Sequence, residues 1–272
     1  MSGAPEGELY DVTLLQDDEI TPYEPKANVI NELTLLISKS GLYNTTNTTT
    51  TNNNTVVNET DNNGTWADKY ALVEFIRRIM LHHTDNLSIE FQQQRQQNDT
   101  DINDNENPLM ITITDATVDA IQSLRSSTVR NGILCARTII NSYLKIQWSD
   151  GQLLRIVTDL VNRTTVGPRF ICEQAGEVLT SMITVLPSLV SILLLVPSIS
   201  HKNADACSKV YSLIAESTLK LTEIVYQPLS LLPTTCIINK LVDALSKGLN
   251  AKRPQARDLC RKAFRHIQDT MV

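Results

Sequence analysis

Apolar residues recur along this chain at three- and four-residue spacing, the period of an amphipathic helix. Leu153, Leu154, Ile156, Val157, Leu160 and Val161 form one stripe, and Val178, Leu179, Met182 and Ile183 a second. Ile237, Ile238, Leu241, Val242 and Leu245 form a third, and Leu259, Cys260, Ala263, Phe264 and Ile267 a fourth. Strand-like alternation is confined to PLMITITDA (108–116), which runs into a helical pattern. Pro, Gly, Asn and Ser collect between the stripes and mark the connections. The pattern predicts an all-α protein.

The helices fall into pairs whose second members resemble one another. In STVRNGILCARTII, VGPRFICEQAGEVL and PQARDLCRKAFRHI, Arg130, Arg169 and Arg257 share a column. Six residues on stand Ala136, Ala175 and Ala263, and ten on stand Ile140, Leu179 and Ile267. KNADACSKVYSLIA fits as a further copy, with Asp205, Tyr211 and Ala215 in the same columns. The column repeats after 39, 36 and 52 residues, and the first two intervals match helix-pair repeats of about 40 residues. The longest leaves room for a linker, TLKLTEIVYQPLSLLPTT. An earlier pair is formed by ANVINELTLLISKSGLY and WADKYALVEFIRRIMLHH. A single pair cannot bury its own apolar face, so stacking is required. The expected fold is an α-solenoid of about five HEAT-type pairs, in which a small residue in each second helix lets the next pair pack close.

Two stretches depart from the pattern. Residues 44–65 are an Asn/Thr tract and residues 91–108 a Gln/Asn/Asp tract. Neither offers enough apolar surface to offset the cost of ordering, so both are expected as disordered polar insertions in loops. The N-x-T sequons at Asn44, Asn58 and Asn63 are read as products of composition. Residues 1–27 are expected to be an acidic flexible segment, and residues 28–272 one domain.

Composition refines this picture. The chain has 272 residues with 42% hydrophobic and 5% aromatic residues, so its core is aliphatic. The formal net charge is −6 but unevenly spread: residues 1–120 hold 6 basic and 20 acidic groups, and residues 121–272 hold 18 and 10. A basic half suggests an acidic partner. The five cysteines, Cys135, Cys172, Cys207, Cys236 and Cys260, are widely spaced, contain no C-x-x-C and stand among apolar residues. They are expected as small buried hydrophobes in a reducing, cytoplasmic compartment. MSGAPEGELYDVTLLQDDEI has neither the positive nor the apolar region of a signal peptide. The greasiest run, Leu186–Ile199, is bracketed by prolines. It falls short of the roughly 20 residues that span a bilayer, so a buried helix and no membrane partner are expected.

Candidate chemistry is sparse. The chain has no P-loop, no G-x-S-x-G and no H-E-x-x-H. His82 and His83 are adjacent and diverge by about 100° on a helix, which does not suit a shared metal. Glu173 and Glu177 beside Cys172 read as the polar face of a helix. No catalysis, cofactor or metal is expected.

A solenoid lines up its intra-pair turns along one edge, and basic or hydrogen-bonding residues recur there. The first pair offers Trp66, the second Arg125, Ser126, Ser127 and Arg130, and the third Arg163, Thr164, Thr165 and Arg169. The fourth offers Ser200, His201, Lys202 and Asn203, and the fifth Asn250, Lys252, Arg253 and Arg257. Each residue alone reads as a solvated turn or a core anchor. Their recurrence on one edge reads as a binding surface of the Arg- and aromatic-rich kind that dominates interface energy. Arg257 recurs as Arg130 and Arg169, so part of its role is repeat architecture.

WADK at 66–69, LRSSTVRNGILCARTI at 124–139 and AKRPQARDLCRKAF at 251–264 make this array resemble a TOG domain. The likeness is greatest to CLASP and the related ciliary TOG-array proteins, and it covers Asn28–Val272 apart from the two tracts. The resemblance implies a cytoskeletal protein, ciliary or cytoplasmic, that binds αβ-tubulin or microtubules through the turn edge without catalysis. It implies contacts by Trp66, Arg125, Ser126, Thr165, Lys202, Asn203, Lys252, Arg253 and Arg257. The alternative is a HEAT scaffold that joins a protein complex without touching tubulin. A nucleic-acid partner is poorly supported, because few aromatic residues interleave with the basic ones.

Overall fold

A computed structural model describes residues 14–22, 29–39, 65–85, 87–89, 107–221 and 234–271. The Asn/Thr tract up to residue 64 and the Gln/Asn/Asp tract up to residue 106 lie outside these residues. The described residues form helices and connecting turns, and no strand is found among them. In chain order the helices are α1 (Val29–Lys39), α2 (Trp66–His82), α3 (Pro108–Gln122), α4 (Ser126–Asn141), α5 (Asp150–Arg163) and α6 (Arg169–Val185). They continue with α7 (Ser188–Leu195), a 3-10 turn (Val196–Ser200), α8 (Ala204–Leu219), α9 (Thr234–Gly248) and α10 (Pro254–Met271).

Local chemistry sets several of these starts. Thr65 and Asp68 form a reciprocal capping box at α2, as Ser149 and Gln152 do at α5. Asn107 accepts from the Leu109 N–H at α3, whose first helical residue is Pro108. Pro187 follows the end of α6, and Pro197 accompanies the change from α7 to the 3-10 turn. The expected greasy helix is therefore short, with Val190, Ile192, Leu194 and Leu195 buried.

The helices stack in two layers. The second members α2, α4, α6, α8 and α10 pack each against the next, as do the first members α3, α5 and α7. The 3-10 turn carries that layer on to α9, and α1 packs on α2. The all-α solenoid expected from periodicity is thus realised. Ala136, Ala175 and Ala263 are all fully buried, as their column predicts. In the fourth pair Tyr211 takes this place, and its hydroxyl donates to the Ile199 carbonyl at 2.8 Å. The tightest approach is at Gly132 in α4. A Cβ there would stand 2.8 Å from the Ile121 nitrogen and 2.9 Å from the Ala120 Cβ, so α3 and α4 meet backbone against backbone.

Two expectations need correction. Residues 14–22 were assigned to a flexible segment, yet they lie across α2 and α4. Arg77, 0% exposed, donates to the Leu15 carbonyl at 3.0 Å and to Asp17 at 2.8 Å. Arg137 also pairs with Asp17, and Ile20 is buried. A buried arginine needs a counter-charge, and this acidic segment supplies it. The cysteines also divide. Cys135 and Cys260 are buried, and burial pushes both thiols up to about 11. Cys172 and Cys207 are half-buried, and the side chain of Cys236 lies outside the described residues.

The packing at Gly132 generates a paired prediction. Gly132→Ala should destabilise by about 1–3 kcal/mol, because backbone and Cβ atoms cannot yield. Gly176→Ala, where the nearest atom is the flexible end of Lys209 at 3.9 Å, should instead gain about 0.5–1 kcal/mol of helix propensity. Urea unfolding midpoints of the two variants should move in opposite directions.

Candidate functional site: the turn edge

The intra-pair turns run along one edge of the two-layer stack. Trp66 is the first residue of α2, and the Arg125 guanidinium lies 4.5 Å above its ring centroid. This stack joins the first and second turns and is worth about 0.5–1 kcal/mol at an exposed site. Lys69 of the same WADK stretch pairs with Asp119 of α3 at 2.9 Å, which orients the start of α2. Arg125 and Ser126 are exposed at the start of α4.

The second and third turns are joined by Arg163. Its Nε donates to the Ile121 carbonyl at 2.7 Å and one Nη to the Ser123 carbonyl at 3.0 Å. These are acceptors at the C-terminal end of α3 that the helix leaves unsatisfied. Gly167 in the third turn has φ +120°, a backbone conformation that disfavours side chains. Thr165 is half-buried and only weakly bonded to the Asn162 carbonyl, at 3.4 Å.

His201 joins the third and fourth turns. Its Nδ1 accepts from the Asn203 N–H at 3.0 Å, so its Nε2 is the donor to Asn162 Oδ1 at 2.8 Å. Asn203 was expected to face a partner, but its side-chain oxygen caps α8 by accepting from the Asp205 N–H at 2.8 Å. Lys202 is exposed and has no ion pair among the described residues.

The fifth turn departs most from expectation. Asp205 of the fourth turn accepts from Lys252 at 2.8 Å and from Arg253 at 3.2 Å. The two cations predicted to contact a partner are therefore held by this chain's own carboxylate, whose pKa their hydrogen bonds lower. Arg257 donates to the Ala251 and Lys252 carbonyls at 2.8 and 3.1 Å, which assigns it to turn architecture. The shared Arg column does not have one role. Arg130 stacks 5.6 Å from Phe170, whereas Arg169 is exposed and pairs with Glu173.

Beside the cations the edge exposes apolar side chains that charge and motif reading missed. Leu124 is fully exposed, Val166 is 55% exposed and Phe170 is 47% exposed. Leu124 precedes Arg125 in the second turn, Val166 lies in the third turn, and Phe170 at the start of α6 meets Arg130. Sequence alone gives a weak signal: Leu124 and Val166 are apolar residues within turns, and Phe170 is the second residue of α6.

Between α6 and α8 the second-helix layer opens into a groove of about 740 Å³ adjoining this edge. Arg169, Lys209 and Arg253 line it together with Glu173, Glu177 and Asp205. The charges balance, so the groove has no strong preference for an anion or a cation. Desolvation lowers the Lys209 pKa, and its ammonium donates to Thr180 at 3.0 Å. No group of acidic, His or Cys side chains suited to a metal occurs among the described residues. None of the described helices is long and apolar enough to cross a membrane.

No family model and no curated protein matches the chain. Among solved structures an engineered protein is similar, at TM-score 0.37 and 12% identity, over 88% of this chain and 81% of its own. A likeness at that level carries no argument.

The two kinds of arginine on this edge can be separated by stability. Arg163→Ala should destabilise by about 1–3 kcal/mol, because it leaves helix-end carbonyls without donors. Arg169→Ala should change stability by less than about 0.5 kcal/mol, the size of an exposed i,i+4 pair. Denaturant titration of both variants checks this. The Asp205 link has a pH signature as well. Its carboxyl titrates below the usual value in the folded chain, so its contribution is complete above about pH 4 and is lost as pH falls through the lowered value. Asp205→Asn should remove that part of the acid dependence, so the thermal midpoint should fall less between pH 5 and pH 3 than in the unaltered chain.

Proposed function

We propose that this chain is a non-catalytic TOG-type docking module that binds αβ-tubulin or the microtubule lattice through the N-terminal part of its turn edge. The observation that carries the reading is the Arg125–Trp66 stack at the start of α2, together with the uncovered side chains of Leu124 next to Arg125 and of Val166 and Phe170 at the following turn of the same edge. An aromatic ring held by an arginine, on an edge that also exposes apolar side chains, has the composition of an interface hot spot. Trp66, Arg125 and Ser126 are its central contacts, and Thr165 and Lys202 extend it. Lys252 and Arg253 contribute only as far as Asp205 releases them, and Asn203 and Arg257 support the turns.

A second reading, a HEAT scaffold that joins a complex without tubulin, is favoured by one observation. The two cations of the fifth turn share one carboxylate of this chain, so most of their charge is offset internally and a partner there would read shape as much as charge.

Size-exclusion chromatography with free tubulin and pelleting with microtubules, both at low salt, test the proposal. Association with one of them is expected. Failure to associate with either would sink the tubulin reading and leave the scaffold. Where binding occurs, Trp66→Ala combined with Arg125→Ala should weaken it by at least about thirtyfold, the effect of removing a hot spot of about 2 kcal/mol. Asp205→Asn should strengthen it, because Lys252 and Arg253 become available to an acidic surface. Unchanged affinity in the double variant would move the contact off this edge.

A further inference from the structure

Residues 14–22 lie on the solenoid as a peptide lies in a receptor. Within the described residues, no backbone–backbone hydrogen bond joins this segment to a helix, and its single internal one closes a local turn from the Glu19 N–H to the Gln16 carbonyl. Side chains of the second-helix layer hold it instead. Arg77 of α2 grips the Leu15 carbonyl and the Asp17 carboxylate, and Arg137 of α4 takes the other Asp17 oxygen. His82, at the end of α2, bonds the Ile20 carbonyl at 2.8 Å, and the Ile20 side chain is only 3% exposed. Asp18 and Glu19, between these anchors, are exposed.

The receptor side is also bonded within itself. Asn131 donates to the Tyr70 carbonyl at 3.2 Å, which turns its own oxygen onto Arg77 at 2.8 Å. Arg77 therefore stands fully buried between two helices, with its other terminal nitrogen aimed at the segment. Two of the anchors read backbone carbonyls, which every peptide possesses. Sequence is read only by the two arginines, which need a carboxylate, and by the site that takes the Ile20 side chain. Charge-assisted hydrogen bonds from two arginines, one to each oxygen of a single carboxylate, fix its position as well as holding it.

We propose that the α2–α4 face is a receptor for extended acidic segments of partner proteins, with residues 14–22 as the resident ligand. The fitting partner segment carries an Asp with an aliphatic residue three positions later, the spacing of Asp17 and Ile20. Its binding displaces the resident segment, and Asp18 and Glu19 show that further acids between the anchors are tolerated. Charge complementarity commits the occupant: a fully buried arginine and a half-buried one converge on a single carboxylate, so a neutral or basic peptide would leave both without a counter-charge. The site lies on a helix-layer face and does not depend on the turn-edge function proposed above.

The test uses the full chain and a fluorescent synthetic peptide with the sequence of residues 12–22. Asp17→Asn with Ile20→Ser weakens the resident segment, and circular dichroism establishes that this variant keeps its helices. The peptide should bind the variant at least tenfold more tightly than the unaltered chain. Binding should fall at least tenfold when the peptide's own Asp17 is Asn, and again when Arg137→Glu is added to the chain. Absence of saturable binding to the folded variant, or equal binding of the Asn peptide, overturns the proposal. Should the variant lose its helices, the same peptide with a photo-crosslinker at its Ile20 position is applied to the unaltered chain. Crosslinks in α2 near His82, suppressed by unlabelled peptide, support the site, and their absence at millimolar peptide overturns it. Sedimentation distinguishes the remaining occupant: a concentration-dependent dimer of the unaltered chain without peptide binding would mean that the segment is exchanged between copies, which also overturns a partner receptor.

Discussion

Stacking helix pairs side by side puts every helix end on one of two edges, and each end carries backbone groups that its own helix cannot satisfy. The arrangement of charge in this protein follows from that constraint. Arg163 serves the end of α3, and Arg257 serves the turn that ends α9. Lys220 donates to the Ile183 carbonyl near the end of α6 on the opposite edge, and Ser88 to the Lys145 carbonyl. Cations gather at turns because helix C-terminal ends need donors and favour positive charge. A recurrent basic edge is therefore first a requirement of the solenoid. Only the charge left after that requirement is available to a partner.

The same accounting explains how the turns are joined. Arg125 over Trp66, Arg163 on Ile121 and Ser123, His201 on Asn162, and Asp205 with Lys252 and Arg253 link successive turns one to the next. The chemistry changes at every step while the spatial role stays the same. Such links fix the spacing of turns that the seam of Ala136, Ala175 and Ala263 sets from inside. Where that column holds Tyr211, the side chain is accommodated beside Gly248 of α9 and anchored on the Ile199 carbonyl, away from the groove between α6 and α8.

The architecture was legible in the sequence because it rests on periodicity, which a helix imposes on every residue it contains. The pair boundaries and the buried Ala column follow from patterns of a few residues. The site was legible only as a location. Sequence marks Lys252 and Arg253 as basic turn residues, but it cannot mark Asp205, 47 and 48 positions away, as their partner. It offers Asn203 as a polar turn residue, and capping is equally consistent with that position. Arg77 was missed entirely: within EFIRRIML it looks like the polar face of an exposed helix, and only the layer above it and the segment across it make it buried. The pairings that shape this edge and the α2–α4 face are long-range, and they leave no local trace.

The division of the edge bears on what kind of recognition it can support. In the C-terminal turns one carboxylate holds two cations, leaving a small net charge that salt screens. In the N-terminal turns the Arg125 charge lies over an indole, and the neighbouring Leu124, Val166 and Phe170 side chains face solvent. Burying those side chains gives a contribution that salt does not screen, at about 25 cal/mol per Å² of apolar surface removed from water. An acidic partner would then be steered by the basic half of the chain and held by the first three turns. Approach and retention would be assigned to different parts of one edge, and the pairing of Lys252 and Arg253 with Asp205 would limit long-range attraction without weakening a contact made at the first three turns.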